Sequence, residues 1–262
     1  MDQSQRLDYL ARRFAADSER YRNIDVGRTD EEKRTTLRSL MNIRMPKPLA
    51  ADTLRVQDEY LTELLAERGV VSATDLPARD GLAVWQGDIT LLRADAIVNA
   101  ANAQMLGCFV PMHTCIDNCI HTFAGVQLRE ECDRQMRLLR EKYGPGYEQP
   151  TAVPMLTPGY NLPASHVIHI VGPIVEDRVT DALRRDLGDC YRNTLDLCGE
   201  KGLRTLAFCC ISTGVFRFPK DEAAGIAVDT VRGWLAAHPG VMDLVVFAVH
   251  NDRDKARYEA LI

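Results

Sequence analysis

The chain lacks three features that would assign it early to a class of protein. Its net charge is −5 and its pI is near 5.7, so the strongly basic composition of a nucleic-acid-binding domain is missing. No apolar run approaches the roughly 18 residues that a membrane-spanning helix needs. Residues 1–20 are charged throughout and lack the apolar centre of a signal peptide. We therefore expect a cytoplasmic protein that binds neither nucleic acid nor membrane.

The cysteine content points to metal or free thiols rather than to disulfides. The sequence has 8 cysteines, two of them adjacent at Cys209 and Cys210, which is an awkward arrangement for disulfide pairing. A cytosol keeps thiols reduced, so some of these side chains are available to a metal ion.

Apolar spacing divides the chain into two parts. In residues 1–78, apolar residues recur at three- and four-residue intervals, as in Leu7, Leu10 and Phe14, which is typical of amphipathic helices. One such helix is predicted from Ala51 to Arg68, with Gly69 as its stop. We expect this segment to pack as a helical layer that carries no chemistry.

Residues 79–262 alternate short apolar runs with helical patterns, which predicts an α/β domain. The predicted strands are Leu82–Gln86, Ala96–Asn99, Val167–Val171, Thr205–Cys209 and Leu244–Val249. The predicted helices are Ile116–Lys142, Leu183–Lys201 and Lys220–Ala237. Because ligands of such folds bind beyond the carboxyl ends of the strands, the loops at those ends are the candidate sites.

Three of these loops carry polar residues suited to a nucleotide-like ligand. Asp88 follows the first strand, where its carboxylate can accept from an exocyclic amine, or can simply cap a short helix. Asn99 and Asn102 follow the second strand and suit sugar hydroxyls, although asparagines also form turns. The loop 211–216 contains glycine, and its backbone N–H groups can bind phosphate. It lacks the lysine of a P-loop and the G-x-G-x-x-G pattern of a dinucleotide site.

The segment 107–121, GCFVPMHTCIDNCIH, holds a candidate metal site beside a candidate catalytic carboxylate. Cys108, His113 and Cys115 form a natural zinc set, and three protein ligands leave one coordination position for water or substrate. Asp117 follows directly. The alternatives are small buried residues at a loop–helix junction, or a closed structural zinc site with Cys119 as a fourth ligand.

Five ordered motifs resemble those of macrodomains, the ADP-ribose-binding modules. They are GDIT at 87–90, DAIVNAAN at 95–102, IDNCIH at 116–121, HVIHIVGP at 166–173 and ISTGVF at 211–216, and the resemblance covers residues ~80–262. It implies a three-layer α/β/α fold with a mixed central sheet, preceded by a helical N-terminal extension at residues 1–78. The cysteine-containing loop replaces the four glycines of hydrolase-type macrodomains, which resembles the zinc-containing microbial subgroup.

The resemblance also implies an activity and a role for each site residue. The activity is zinc-dependent hydrolysis that removes mono-ADP-ribose from modified side chains, with acidic acceptors expected. Some bacterial members are linked to lipoyl-carrier proteins, so such a carrier is a candidate for the modified protein. Asp117 and Asn102 are the expected catalytic residues, and Cys108, His113 and Cys115 the expected ligands of one Zn²⁺ per chain. The expected substrate contacts are Asp88 and Ile89 with adenine, Asn99 and Asn102 with the distal ribose, and Ser212, Thr213, Gly214, Val215 and Phe216 with the diphosphate and distal ribose. The alternative is a reader that binds ADP-ribose without cleaving it and carries a structural zinc.

Overall fold

A computed structural model describes residues 1–262, and its first part is a bundle of three helices. They are α1 (Gln3–Ala16), α2 (Asp30–Ile43) and α3 (Ala51–Arg68), so the bounds predicted for α3 are confirmed. The side chains of Asp2 and Thr29 begin α1 and α2 as capping boxes, with Gln5 and Glu32 reaching back to the cap backbone. The apolar faces of these helices meet in a core of their own, which Val126 joins from outside the bundle.

A six-stranded sheet forms the centre of the second part. The strands of the chain are β1 (Val71–Ser72), β2 (Leu82–Gln86), β3 (Leu92–Arg93), β4 (Ala96–Ala101), β5 (Met155–Pro158), β6 (His166–Val171), β7 (Thr205–Phe208) and β8 (Leu244–Val249). The large sheet has the order β2-β8-β7-β4-β6-β5 and is parallel except for β5, which runs antiparallel to β6. All residues of β8 are buried, as expected of an inner parallel strand. The five predicted strands are confirmed within a few residues, whereas β5 was not predicted.

Five helices follow in the second part. They are α4 (Ile116–Ala124), α5 (Val126–Tyr143), α6 (Asp181–Lys201), α7 (Lys220–Ala237) and α8 (Asp252–Glu259). The prediction of a single helix from Ile116 to Lys142 was wrong, because Gly125 breaks it at a φ of 93°. Helix α8 was not predicted either. None of the helices is long and apolar enough to cross a membrane.

The architecture confirms the predicted α/β fold with a mixed central sheet and a helical segment in front of it. Parallel strands β2, β4, β6, β7 and β8 bring their carboxyl ends to one edge of the sheet. The polar loops that follow β2, β4 and β7 therefore lie along one edge. The boundary at residues 78/79 stays a prediction; Ala73, which precedes it, is already buried in the core of the second part.

Candidate active site

Asp117 lies in the first turn of α4, and the residues around it form the centre of the site. Cys115 is the N-cap of this helix, and its Sγ accepts from the backbone N–H of Asn118 at 3.4 Å. Only 5% of the surface of Asp117 is exposed. A carboxylate in the first turn of a helix is favoured by the partial positive charge of the helix N-terminus, which offsets part of the cost of burial.

Two asparagines and a histidine surround the Asp117 carboxylate. Asn99 Nδ2 donates to Asp117 Oδ1 at 2.8 Å, and Asn102 Nδ2 lies 3.5 Å from Oδ2. His121 Nε2 is 3.6 Å from Oδ1. Burial raises the pKa of Asp117 to about 6, against the hydrogen bond from Asn99 and the charge of Arg129. The carboxylate is thus buried and oriented by amide donors.

Asn99 is fully buried, and its side chain contacts Asp117 rather than the protein surface. Its Nδ2 also lies 3.0 Å from Nδ1 of His169, a buried residue of β6. The amide can donate to both neighbours, which fixes its orientation. Asn102 is partly exposed and is held by a bond from its Nδ2 to the carbonyl of Gly107 at 3.1 Å. Of the two asparagines, Asn102 is the one that reaches the surface.

The expected zinc ligands lie together in the loop before α4. The candidate ligand atoms of Cys108, His113 and Cys115 are all within 4.8 Å of one another, and Cys108 Sγ is 3.6 Å from His113 Nδ1. All three residues are partly exposed, and both cysteines are free thiols. Burial is the main reason that the pKa of Cys115 is raised to about 12, so its thiolate needs a nearby cation. Two thiols and an imidazole at this spacing fit a zinc ion.

Cys119 stands outside this cluster. Its Sγ accepts from Arg38 Nη2 at 3.7 Å, one helical turn beyond Cys115. The structure therefore brings together the three expected ligands and leaves the fourth candidate bonded elsewhere.

A second group of potential ligands, His121, Cys132 and His169, is fully buried. It fits a metal poorly, because Asn99 and Thr157 already lie at 3.0 Å from the two ring nitrogens of His169.

Side chains from the N-terminal helices hold the loop of the candidate zinc ligands. Arg38 Nη2 donates to the carbonyl oxygen of His113 at 2.9 Å, and the backbone N–H of Met112 donates to Asn42 Oδ1 at 3.0 Å. Asn118 Nδ2 donates to the carbonyl oxygens of Cys108 and Val110. These hydrogen bonds hold the shape of the loop, and α2 supplies part of its frame.

The loop 211–216 presents free backbone donors. The N–H groups of Ser212, Gly214, Val215 and Phe216 donate to no acceptor in the protein, whereas Thr213 bonds to the carbonyl of Cys210. Ser212 adopts a φ of 64° and its side chain is buried, while Val215 is largely exposed. A run of unused N–H groups in a strand–helix loop is the arrangement that binds a phosphate.

Asp88 and Ile89 lie at the carboxyl end of β2. The side chain of Asp88 caps a short 3₁₀ helix, Ile89–Leu91, and its Oδ1 accepts from the backbone N–H of Thr90 at 2.9 Å. The capping role that the sequence allowed for Asp88 is thus present. Its other carboxylate oxygen, Oδ2, accepts from Arg68 Nη2 at 2.5 Å.

Comparisons with known proteins identify the family. The family model described as the Macro domain matches residues 98–227. A protein-ADP-ribose hydrolase of Treponema medium is 43% identical over the whole of both chains. The chain belongs to the macrodomain family. A second protein-ADP-ribose hydrolase, from Staphylococcus aureus, is 45% identical over 85% of this chain and 82% of its own.

Solved macrodomains share the fold. The Trypanosoma brucei macrodomain in complex with ADP-ribose has a TM-score of 0.64 and 30% identity, covering 85% of this chain and 94% of its own. The Oceanobacillus iheyensis macrodomain with ADP has a TM-score of 0.59 and 35% identity, covering 68% of this chain and 88% of its own. Because these relatives, which cover 100% and 85% of the chain, are both named as hydrolases, this macrodomain belongs among the enzymes of the family.

Sequence reasoning missed several residues that shape the macrodomain site. Arg129 of α5 is only 6% exposed, although the sequence around it is rich in charged residues typical of a solvated helix face. Its guanidinium donates to the carbonyl oxygens of Leu106, Met41, Asn42 and Arg44. Arg38 and Arg68 were missed because each contacts the site from a helix far away in sequence. No local pattern marks a charged residue as one that crosses to another part of the fold.

Proposed function

We propose that this macrodomain is a zinc-dependent hydrolase that removes mono-ADP-ribose from acidic side chains of modified proteins and releases ADP-ribose. One observation supports the proposal most. Three soft ligands, Cys108, His113 and Cys115, lie at the start of the helix that carries the buried Asp117. The name protein-ADP-ribose hydrolase of the full-length relative supports the same activity.

The substrate contacts follow the carboxyl edge of the sheet. We assign the adenine to Asp88 and Ile89 at the end of β2 and the diphosphate to loop 211–216. The free N–H groups of Ser212, Gly214, Val215 and Phe216 suit phosphate oxygens. They bind a phosphate without a cationic side chain, which suits a protein whose net charge is −5. Asn102, the more exposed of the two asparagines after β4, is assigned to the distal ribose.

The hydrolytic step needs an oriented water and a group that takes its proton. Asp117 is assigned as that group, because its carboxylate is buried at the site and held by Asn99 at 2.8 Å. Asn102 Nδ2, at 3.5 Å from Asp117 Oδ2, would orient the water or the ribose beside it. Zinc bound by Cys108, His113 and Cys115 would act as a Lewis acid and polarise a nearby oxygen.

An acidic acceptor fits a site built around one buried carboxylate. A glutamate or aspartate released from the anomeric carbon is stable as an anion, since its pKa is about 4. Its departure needs no strong general acid, whereas the departure of an ordinary sugar alcohol does, as in glycosidases with two carboxylates. The modified protein itself stays a prediction from the resemblance, with lipoyl carriers as the first candidates.

The test is turnover of a mono-ADP-ribosylated acidic acceptor by protein of known zinc content, before and after chelation. We expect one zinc per chain, loss of ADP-ribose release on chelation, and recovery when zinc is added back. An acceptor modified on arginine serves as the matched control and should be cleaved much more slowly. Zinc-loaded protein that binds ADP-ribose and releases none from any acceptor would instead indicate a reader. Unchanged turnover with unfolding of the loop on chelation would indicate structural zinc.

A further inference from the structure

The N-terminal helices reach the residues assigned to adenine, at the end of β2, through Arg68. This arginine is the last residue of α3 and is followed by Gly69, where the chain turns away. Its Nη2 donates to Asp88 Oδ2 at 2.5 Å and lies 3.4 Å from Thr90 Oγ1. The side chains of Arg68 and Asp88 are 23% and 37% exposed, so the pair lies at the protein surface without being fully solvated.

An aromatic ring fixes the guanidinium of Arg68 in this place. Its Cζ lies 3.9 Å from the centroid of the Phe123 ring, close enough for a stacked cation–π contact. Phe123 belongs to α4, the helix that carries Asp117 in its first turn. Arg68 thus joins three elements: the helical extension, the end of β2 and the catalytic helix.

The hydrogen bonds of Asp88 leave one oxygen for a ligand. Oδ1 already accepts from the backbone N–H of Thr90 at 2.9 Å and from Thr90 Oγ1 at 2.7 Å. An exocyclic amine must therefore use Oδ2, which accepts only the bond from Arg68. A carboxylate oxygen has two lone pairs, so the same atom can accept from both Arg68 and the amine.

We propose that Arg68 is a positioning residue for adenine recognition, contributed by the helical extension. It holds Asp88 Oδ2 in the orientation in which this oxygen accepts from the adenine amine. The inference rests on the proposed function, since that function assigns ADP-ribose to this edge of the sheet. The proposal predicts that the protein binds adenine in preference to hypoxanthine. A fixed carboxylate attracts the amine of adenine and repels the carbonyl oxygen of hypoxanthine.

The experiment compares the Kd of ADP-ribose with that of inosine diphosphate ribose by calorimetry on the full chain. For R68A we expect ADP-ribose to bind about 10-fold more weakly, while inosine diphosphate ribose changes by less than about 3-fold. Selectivity between the two bases should fall accordingly. R68K keeps the charge but loses the planar donor geometry, so an intermediate value is expected. With a modified acceptor, KM should rise in R68A and kcat should stay within about 2-fold.

R55A is the matched control. Arg55 lies on the same helix, is largely exposed and pairs only with Glu59 at 3.7 Å, so both ligands should bind R55A as they bind the wild type. The inference is overturned if R68A binds ADP-ribose like R55A, or if both ligands weaken equally. In either case the wild type still binds ADP-ribose, and the proposed function is untouched. A wild type that binds no ADP-ribose overturns both.

Discussion

Arg38 on α2 donates to the carbonyl oxygen of His113 at 2.9 Å, a contact between residues 75 positions apart in the chain. The same Nη2 lies 3.2 Å from Asn118 Oδ1, and Asn118 in turn donates to Cys108 and Val110. The helical extension is therefore part of the frame that sets the shape of the loop of the candidate zinc ligands. An extension that only covered the sheet would have no such bonds.

The R38A variant should lower zinc affinity while leaving the fold in place. The loop loses the donor that holds the backbone of His113, and residues that support metal ligands typically affect affinity 10- to 100-fold. We expect a loss of about 10-fold in competition with a chromogenic chelator. Arg34 lies one turn earlier on α2 and is exposed, so R34A is the control. Equal zinc affinity in R38A and R34A, with matching circular dichroism, would contradict a supporting role.

The D117A variant should lose turnover and keep ADP-ribose binding. The carboxylate removed is the assigned proton acceptor, whose absence typically costs 10²- to 10⁴-fold in rate. Calorimetry should give a Kd for ADP-ribose within about 10-fold of the wild type. D229N, a change at an exposed residue of α7, should leave both quantities unchanged. Turnover of D117A equal to the wild type would remove Asp117 from the mechanism.

Periodicity in the sequence located the buried elements well, because burial sets apolar spacing directly. Strand β8 and helices α3 and α7 have the bounds that were predicted. Short or interrupted elements were harder to predict from the sequence. Strand β5 is four residues long at the sheet edge, and the break between α4 and α5 depends on one glycine, Gly125. A helical apolar pattern continues across such a break, so spacing alone cannot reveal it.

Chemistry-bearing residues close together in sequence were predicted, whereas those that meet across the fold were not. The cluster of Cys108, His113 and Cys115 lies within eight residues and was found from its ligand chemistry. Arg38 and Asn42, which hold this loop, come from the helical extension, which was expected only to pack as a layer without chemistry. Such contacts depend on how α2 packs on α4, which the local sequence of either helix does not specify.

Acid should destabilise the protein through buried neutral histidines. Burial lowers the pKa of His169 to about 3, below its ordinary value of 6.5. The unfolded chain takes up a proton below pH 6.5 while the folded chain does not, so stability falls as the pH drops from 6.5 towards 3. From pH 6.5 to 5 the expected contribution of His169 is about 2 kcal/mol.

Urea unfolding of H169Q at pH 7 and pH 5 measures this contribution. Its stability should fall less between the two pH values than that of the wild type, by about 2 kcal/mol, even if the variant is less stable at both. The comparison between pH values separates proton uptake from lost packing around Asn99 and Thr157. H238Q changes an exposed histidine and should keep the wild-type pH dependence. If H169Q and the wild type lose the same stability between pH 7 and pH 5, His169 is not the buried group that causes the loss in acid.

Gly107 couples the shape of the loop of the candidate zinc ligands to the residues around Asp117. It adopts a φ of 79°, and a Cβ at this position would lie 2.8 Å from the ring of His121. His121 is buried beside Asp117, so its ring has little room to move. G107A should therefore destabilise the protein by about 1–3 kcal/mol and reduce turnover, since relief of the clash displaces His121 or the loop.

G146A, where a Cβ would meet nothing within 4 Å, is the control for a change of glycine to alanine. Thermal unfolding and zinc content of both variants provide the measurement. A G107A protein that melts, binds zinc and turns over like G146A would show that this loop is free to adjust around His121.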